Sequence, residues 1–356
     1  MRRLLLLLLP LGLLACDPPR EGDEAGECDD RIDNNGDGLI DCADEQCLRA
    51  PACAGDDDDA VDDDDAVDDD DAVDDDDATD DDDAAPGDWI AVTAGDFHSC
   101  ALGDLGGVVC WGWNHAGQGT PPANVDLVNL GSGWSHTCGQ DEGGVVHCWG
   151  VDAELDWEQA VAPKDSFASM GVGSHHTCGV GKDGAATCWG RNKDGQTDVP
   201  AGSYREIQGG KFHTCGLTTD DEIVCWGDDS EGQLAAPPGP YDHFGVGEFA
   251  ACGVLSAGGV VCWGLDVADL LQPPQEEFTL ITVGKAHACG LNPTGSVTCW
   301  GGDRNGETAV PAGSTWQTID AGSGHTCGVT TGGELGCWGS NETEEGVEVG
   351  QATPPD

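Results

Sequence analysis

Short apolar stretches alternate with polar turns along the C-terminal three quarters of the chain. One such stretch runs from Trp89 to Val92, and a second example runs from Trp316 to Ile319. Each is followed by a segment that contains His-x-Cys or a close variant, and then by one that ends in Cys-Trp-Gly. Because side chains alternate between the two faces of a strand, runs of this length favour strands over helices. We predict three or four short strands in each unit.

The units repeat seven times. Seven cysteines are each followed ten residues later by a second cysteine, and the first cysteines recur every 37 to 40 residues. A period of that size is typical of repeat architectures. The pairs are Cys100/Cys110, Cys138/Cys148, Cys178/Cys188, Cys215/Cys225, Cys252/Cys262, Cys289/Cys299 and Cys327/Cys337.

The spacing of each pair also predicts a register. If Cys178 and Cys188 lie opposite each other on antiparallel strands, the strands close on the three-residue loop 182–184. Such loops favour a left-handed residue, usually glycine, at their third position. Six repeats have glycine there and the fourth has Asp221, a residue type that tolerates this conformation. The glycines are Gly106, Gly144, Gly184, Gly258, Gly295 and Gly333. The register therefore favours one cross-strand disulfide in each hairpin.

One small sheet cannot bury both of its faces, whereas a closed ring of sheets can, and it leaves few free edges. We therefore predict an all-β fold for residues 89–356, a seven-bladed β-propeller. The recurring motif His-Ser/Thr-Cys, then Cys-Trp-Gly-x-Asn-x-x-Gly-Gln, resembles the regulator of chromosome condensation repeat. The short unit is most similar to secreted bacterial members, including β-lactamase inhibitory propellers. The resemblance implies protein–protein contact, but fold alone does not carry function.

Two sets of repeated side chains are of types that often bind metals or ligands, but we expect both to have a structural role. Six histidines share one repeat position, where the fifth repeat has Ala250, and they could bind a metal or pack between blades through a backbone hydrogen bond. We favour packing, because a position repeated with the scaffold is usually part of it. The histidines are His98, His136, His176, His213, His287 and His325.

The tryptophans of the Cys-Trp-Gly motifs are likewise expected in the core. They are Trp111, Trp149, Trp189, Trp226, Trp263, Trp300 and Trp338. Trp113, Trp134 and Trp157 break the repeat pattern, and aromatic residues are enriched at interfaces. They are our candidates for partner binding, although each could simply cover its own blade.

The N-terminus predicts export. Arg2 and Arg3 precede an apolar run from Leu4 to Leu14, which is too short for an ordinary membrane-spanning helix. Ala15-Cys16 resembles a bacterial lipobox, which implies a signal peptide over residues 1–15, lipidation of Cys16 and a tether over 16–27. The alternative is an ordinary signal peptide cut near Ala15. We predict a lipoprotein anchored in the bilayer of the bacterial cell envelope, at the outer membrane or cell surface.

Residues 28–53 are predicted to form a small disulfide-framed module. Oxygen-bearing residues at alternate positions resemble a calcium loop, with the Leu39 carbonyl as a further ligand. The predicted ligands are Asp33, Asn35, Asp37, Leu39, Asp41 and Asp44. The alternative is an Asx-rich turn held by two disulfides. The sequence does not fix the connectivity of Cys28, Cys42, Cys47 and Cys53. Together with Cys16 and the fourteen repeat cysteines, they account for all 19 cysteines of an exported chain.

Residues 54–88 form an acidic linker that we predict to be disordered. Five runs of four aspartates supply twenty carboxylates of a chain whose formal charge is −55. Mutual repulsion and the lack of large apolar residues oppose folding. The segment is expected to act as a stalk, or alternatively as a weak calcium sponge.

The predicted propeller is also acidic. It contains eight Lys and Arg and about 35 Asp and Glu, and this excess of negative charge argues against nucleic acid as a partner.

These features predict a cell-envelope lipoprotein whose monomeric propeller binds an unknown protein partner through its inter-strand loops. The sequence contains no G-x-S-x-G, phosphate loop or metal-protease helix, so we predict no enzyme activity and no catalytic cofactor. Two alternatives stay open, a propeller enzyme that acts on glycans and a passive envelope component. A carboxylate pair in a cleft lined with aromatic residues would favour the enzyme.

Overall fold

The computed structural model describes residues 88–151, 156–343 and 346–355. These residues form seven separate antiparallel sheets of three strands each, which we call blades 1 to 7 in chain order. The all-β prediction is confirmed, with three strands in every blade. The predicted signal peptide, lipidated Cys16, calcium-type module and acidic linker lie outside the described residues, except for the linker's last residue.

Each blade contains three consecutive strands whose spatial order follows the chain. The strands are β1 (Trp89–Ala94), β2 (His98–Gly103), β3 (Val108–Gly112), β4 (Leu127–Ser132), β5 (Thr137–Asp141), β6 (Val146–Trp149), β7 (Phe167–Val172), β8 (His176–Gly181), β9 (Ala186–Gly190), β10 (Tyr204–Gly209), β11 (His213–Thr218), β12 (Ile223–Gly227), β13 (Tyr241–Val246), β14 (Ala250–Leu255), β15 (Val260–Gly264), β16 (Leu280–Val283), β17 (His287–Leu291), β18 (Val297–Gly301), β19 (Trp316–Ala321), β20 (His325–Thr330) and β21 (Leu335–Gly339).

The predicted pairing of the hairpin strands is confirmed. Cys178 lies opposite Cys188 in the ladder between β8 and β9, and the two form a disulfide with their Cα atoms 4.0 Å apart. The same opposition and the same bond occur in the other six blades, as Cys100–Cys110, Cys138–Cys148, Cys215–Cys225, Cys252–Cys262, Cys289–Cys299 and Cys327–Cys337.

The two cysteines of a pair differ in burial, which their spacing did not predict. The first cysteine of every pair lies on the middle strand and is fully buried, with 0% exposure in each blade. The second lies on the third strand of its blade and is only partly buried. The partly buried cysteines are Cys110, Cys148, Cys188, Cys225, Cys262, Cys299 and Cys337. Each disulfide therefore ties the outermost strand of a blade to its buried middle strand.

The hairpin loops have the predicted backbone conformation. Gly184 takes the left-handed conformation at the third loop position, with φ of 81°. Asp221 takes it in the fourth blade, with φ of 62°. The alternation of side chains along the strands and the left-handed residue in each loop were therefore sufficient to predict each hairpin.

A ring of glycines closes the propeller around its axis. A Cβ atom on Gly95 would clash with the carbonyl oxygen of Gly133 in the next blade, and the same close approach recurs around the ring. A Cβ atom on the last glycine, Gly322, would clash with the carbonyl oxygen of Gly95 in blade 1. Neighbouring blades thus approach backbone to backbone, at a distance that excludes any side chain. The ring closes at seven blades.

The apolar core lies between neighbouring blades. Tyr204, Ile207 and Trp226 of blade 4 pack against Cys178 and Val180 of blade 3. Burying these side chains stabilises adjacent blades together, because apolar area is removed from water only when both blades are present. The expectation that the motif tryptophans belong to the core is confirmed for Trp149, Trp226, Trp263 and Trp338, which are buried cluster members. The other three, Trp111, Trp189 and Trp300, are partly buried and pack against clusters.

The C-terminal segment completes the ring. In six blades the motif indole donates a hydrogen bond from Nε1 to a backbone carbonyl in the segment that leaves the preceding blade, as Trp226 does to Gln196 at 2.9 Å. Blade 1 has no preceding blade in the chain, and Trp111 donates to the carbonyl of Gln351 at 2.9 Å. The segment that follows blade 7 therefore supplies the missing acceptor for the first blade.

The propeller has two faces. The hairpin face carries the three-residue loops between the second and third strands. The opposite face carries the loops between the first and second strands, and we call it the inner-loop face; its loops are residues 95–97, 133–135, 173–175, 210–212, 247–249, 284–286 and 322–324. Within the described part of the chain, no helix is long and apolar enough to cross a membrane.

Candidate functional site

The six repeated histidines lie at the strand ends beside the glycine ring, and all are buried. The Nε2 atom of His176 lies 2.7 Å from the hydroxyl of Thr214 in the next blade, and that hydroxyl donates to the carbonyl of Gln196 at 2.7 Å. Because the hydroxyl donates to the carbonyl, the imidazole must donate from Nε2 to the hydroxyl. Four other histidines make the same contact to a Thr or Ser of the next blade. The packing prediction is confirmed, but the histidine's partner is a side chain rather than the backbone.

Burial keeps these histidines neutral. Desolvation lowers the pKa of His98, His136, His176 and His325 to about 3, and that of His213 and His287 to about 4. Among the described residues, no group of three His, Cys, Asp or Glu side chains could hold a metal ion. Five of the six histidines join neighbouring blades through their contacts with hydroxyl groups.

Blade 5 interrupts this series of contacts. It has Ala250 at the histidine position and Ala251 at the hydroxyl position. His213 of blade 4 consequently has neither ring nitrogen hydrogen-bonded to a described residue. An unpartnered buried polar group lowers the free energy of unfolding. The contact between blades 4 and 5 is therefore less stabilising than the equivalent contacts that include the hydrogen bond.

The inner-loop face carries a continuous column of aromatic rings over blades 1 to 4. The rings of Trp113 and Trp134, two of the three predicted binding tryptophans, are 5.3 Å apart between centroids. His115 stacks on Trp113 at 6.0 Å, and His175 stacks on Trp134 at 5.5 Å. Phe212 extends the column, since its ring lies 6.3 Å from that of His175.

Cations lie against the far end of this aromatic column. The Arg191 guanidinium sits 4.4 Å from the centroid of the Phe212 ring, an attractive cation–π geometry. Lys211 lies 6.0 Å from the same ring and 5.3 Å from that of Phe249. Trp157, the third predicted tryptophan, makes no ring contact within the column among the described residues; it is paired instead with Lys193 at 4.3 Å.

Sequence reasoning missed several members of the column, although a signal existed. Between the axial glycine and the histidine of each repeat lie two residues that differ from blade to blade. The second of them is aromatic in four blades and small in the other three. This position comprises Phe97, Ser135, His175, Phe212, Phe249, Ala286 and Gly324. Comparing the repeats at this position would have found His175 and Phe212.

A polar network occupies the inner-loop end of the propeller axis. Lys211 donates to Glu248 at 2.8 Å, and Ser323 from blade 7 donates to the same carboxylate at 2.6 Å. Asp96 of blade 1 accepts a hydrogen bond from Ser174 of blade 3 at 3.4 Å. These contacts join blades that are not all neighbours in the ring, and together they narrow this mouth of a central cavity of about 430 Å³.

Asp320 also lines the central cavity and is partly buried. Burial raises its pKa, while hydrogen bonds from the Ala94 and Ala321 amides and from the Thr282 hydroxyl oppose that rise. The Ala94 amide and the Thr282 hydroxyl lie 2.9 and 3.0 Å from the carboxylate oxygens. All of these partners belong to the first strands of the blades. This arrangement ties blades 6, 7 and 1 together.

Comparison with known proteins identifies the repeat. Residues 89–118, 167–196, 205–233 and 316–344, which lie in blades 1, 3, 4 and 7, match the regulator of chromosome condensation (RCC1) repeat. No curated protein matches the chain.

The chain is similar to several solved structures. The ectodomain of the receptor kinase CR4 from Physcomitrella patens is 26% identical, with a TM-score of 0.62 over 73% of this chain and 77% of that one. The CRINKLY ectodomain of the receptor kinase ACR4 from Arabidopsis thaliana is 26% identical, with a TM-score of 0.61 over 74% of this chain and 97% of that one. Prp20p from Saccharomyces cerevisiae is 19% identical, with a TM-score of 0.44 over 72% of each chain.

Proposed function

We propose that this chain, four of whose repeats match the regulator of chromosome condensation repeat, is an exported binding protein that holds a protein partner on the inner-loop face of its propeller. The aromatic column over blades 1 to 4 is the observation that carries the proposal. Its two tryptophans are half-buried and belong to positions where the repeats differ. Trp, Tyr and Arg dominate the binding energy of protein interfaces. Other blades fold without aromatic residues at these positions, so the fold does not require this concentration of rings on one face.

The stacking of the column favours a protein partner over a glycan. A ring that stacks on a sugar needs an open face, whereas here the rings cover one another. Trp134 and His175 are stacked with planes 19° apart, and Arg191 lies over Phe212. The half-buried indoles of Trp113 and Trp134 suit the mixed apolar and polar contacts of a protein surface.

The carboxylates likewise give no support to a glycosidase. Glu248 is tied to Lys211 and Ser323, and Asp320 is saturated by scaffold donors. A glycosidase needs a general acid and a second carboxylate that both face the substrate. The binding function thus remains the better supported of the two.

Export and anchoring are part of the proposal. Seven disulfides belong to an oxidising compartment, and both plant structures are receptor ectodomains. Lipidation of Cys16 would anchor the chain, and residues 54–88 would give the propeller reach. The loop at residues 33–44 would bind calcium. A Cys16→Ser variant should appear in the culture medium rather than in the membrane fraction, and recovery of that variant in the membrane would contradict the anchor.

Affinity capture with the full chain as bait tests whether a protein partner binds the inner-loop face. Envelope and medium fractions of the producing organism are passed over wild-type protein and over a Trp113→Ala, Trp134→Ala double variant. An Ile90→Ala variant is the matched control, because Ile90 is an exposed apolar side chain at the hairpin-face end of β1 and lies outside the aromatic column. Circular dichroism confirms that all three baits are folded.

The proposal expects one stoichiometric protein on wild-type and Ile90→Ala baits, with loss of most of it on the double variant. Equal capture by all baits would place the interface elsewhere. Saturable hydrolysis of a glycan panel, with no captured protein, would favour the enzyme instead.

A further inference from the structure

A groove lies on the hairpin face where blade 1 meets blade 2, well away from the aromatic column. Its volume is about 620 Å³, and Leu105, Val125, Leu127 and Val128 form its apolar lining. Leu105 and residues 124–127 also line a second hollow of about 490 Å³ that continues toward Pro121 and Pro122. The two hollows together give an elongated depression with Leu105 as the ridge between them.

The apolar side chains of this groove are not required by the fold. Leu105 is 71% exposed at the middle of its hairpin loop, and Val128 is 49% exposed at the β-bulge of the first strand. At the loop position the other six blades have only small or polar residues, namely Gly143, Asp183, Asp220, Ala257, Thr294 and Gly332. At the bulge position, blade 1 has Ile90 and blade 3 has Ala168, whereas blades 4, 5 and 7 have the polar residues Arg205, Asp242 and Gln317.

Large apolar side chains left in water lose the free energy that burial would provide. The same loop and the same bulge form in other blades without them, so these residues do not contribute to hairpin geometry. Exposed apolar patches with polar rims mark interaction sites.

The rim of the groove is acidic. Asp104, Asp126, Asp141 and Glu142 surround the apolar lining, and no Lys or Arg is among the groove's described lining residues. His147 hydrogen-bonds to Asp141 at 3.1 Å, and this contact, together with the Val145 amide, lowers the pKa of that carboxyl. Asp141 therefore stays ionised at neutral pH, and the acidic rim attracts cations.

We propose that this groove binds an extended segment of another protein in which an apolar side chain is flanked by lysine or arginine. The apolar side chain would cover Leu105 and Val128, and the flanking cations would pair with the rim carboxylates. The formal charge of −55 on the whole chain adds long-range attraction for a basic segment and repels acidic ones. This site is independent of the inner-loop face, so either proposal can fail without the other.

The test uses the full chain and fluorescein-labelled pentapeptides followed by fluorescence anisotropy. The probe is Gly-Lys-Leu-Lys-Gly, and the matched peptides are Gly-Lys-Ser-Lys-Gly, which lacks the apolar side chain, and Gly-Glu-Leu-Glu-Gly, which reverses the charge. We expect the probe to bind about tenfold more tightly than either matched peptide. Its affinity should fall when salt is raised from about 50 to about 200 mM, because the rim charges are exposed.

Two variants locate the site. Leu105→Ser should weaken probe binding about tenfold, whereas Val347→Ser, at another exposed valine, should leave it unchanged. Leu105 is exposed, so the substitution should not affect folding, and an unchanged thermal midpoint verifies this. The proposal is overturned if the three peptides bind equally, if none binds, or if Leu105→Ser retains wild-type affinity.

Discussion

Acid should destabilise this propeller through its buried histidines. The six repeated histidines are neutral in the folded state, with pKa values lowered by burial to about 3 or about 4. Burial also lowers the pKa values of His175 and His243, which act in the same direction. In the unfolded chain each returns to the ordinary value of about 6.5. Between these values the unfolded state takes up protons that the folded state cannot, so the free energy of unfolding falls as the pH falls.

The size of the effect follows from the shifts. At pH about 5.5 each histidine lowers the free energy of unfolding by about 1 kcal/mol relative to neutral pH, and six together by several kcal/mol. Asp320 acts in the opposite direction, because its raised pKa lets the folded state bind a proton more readily. One carboxyl can offset no more than about one of the six protons.

The assay is urea unfolding, followed by tryptophan fluorescence, at pH values from about 7.5 to about 5.5. His213→Gln should reduce the pH slope by up to one proton, and it sacrifices no hydrogen bond to a described residue. Val347→Ser, at an exposed position and without loss of a titratable group, is the control and should leave the slope unchanged. A free energy of unfolding that stays constant over this range, or equal slopes for His213→Gln and wild type, would refute the reasoning.

Three further predictions concern the scaffold. Ala251→Thr should raise the free energy of unfolding by about 1 kcal/mol, because its hydroxyl gives His213 the partner it lacks, and a lower urea midpoint would contradict this. Deleting residues 350–356 should lower the thermal midpoint, since the blade 1 indole loses its carbonyl acceptor; an unchanged midpoint would mean that this contact does not close the ring. Replacing Cys178 and Cys188 together by alanine should reduce the free energy of unfolding by about 3 kcal/mol, with equal urea midpoints as the contrary result.

The hairpins were predictable because their determinants are local. Placing Cys178 opposite Cys188 fixes the loop length, and the loop length requires a left-handed third residue, which Gly184 and even Asp221 provide. The number of blades followed from counting the repeats. Predicting that the histidines belong to the scaffold was also correct, since a side chain repeated from blade to blade serves contacts that are repeated in the same way.

The partner of each histidine was not predictable, because it lies in a different blade. His325 reaches Ser99, which is 226 residues away in the chain, and Trp111 reaches the carbonyl of Gln351, 240 residues away. Such contacts exist only after the ring has closed. Nothing in the local sequence of either residue indicates the other.

The sequence by itself determined the strands, their register, the disulfides and the closed ring, because these depend on alternation, turn chemistry and repeat number. Only the tertiary structure decided which of the non-repeating residues meet. It brought Trp113 and Trp134 together with His175 and placed Trp157 beside Lys193 instead. The physical reason is that a binding surface is assembled from loops of several blades, whose spatial neighbours are set by ring closure rather than by position in the chain.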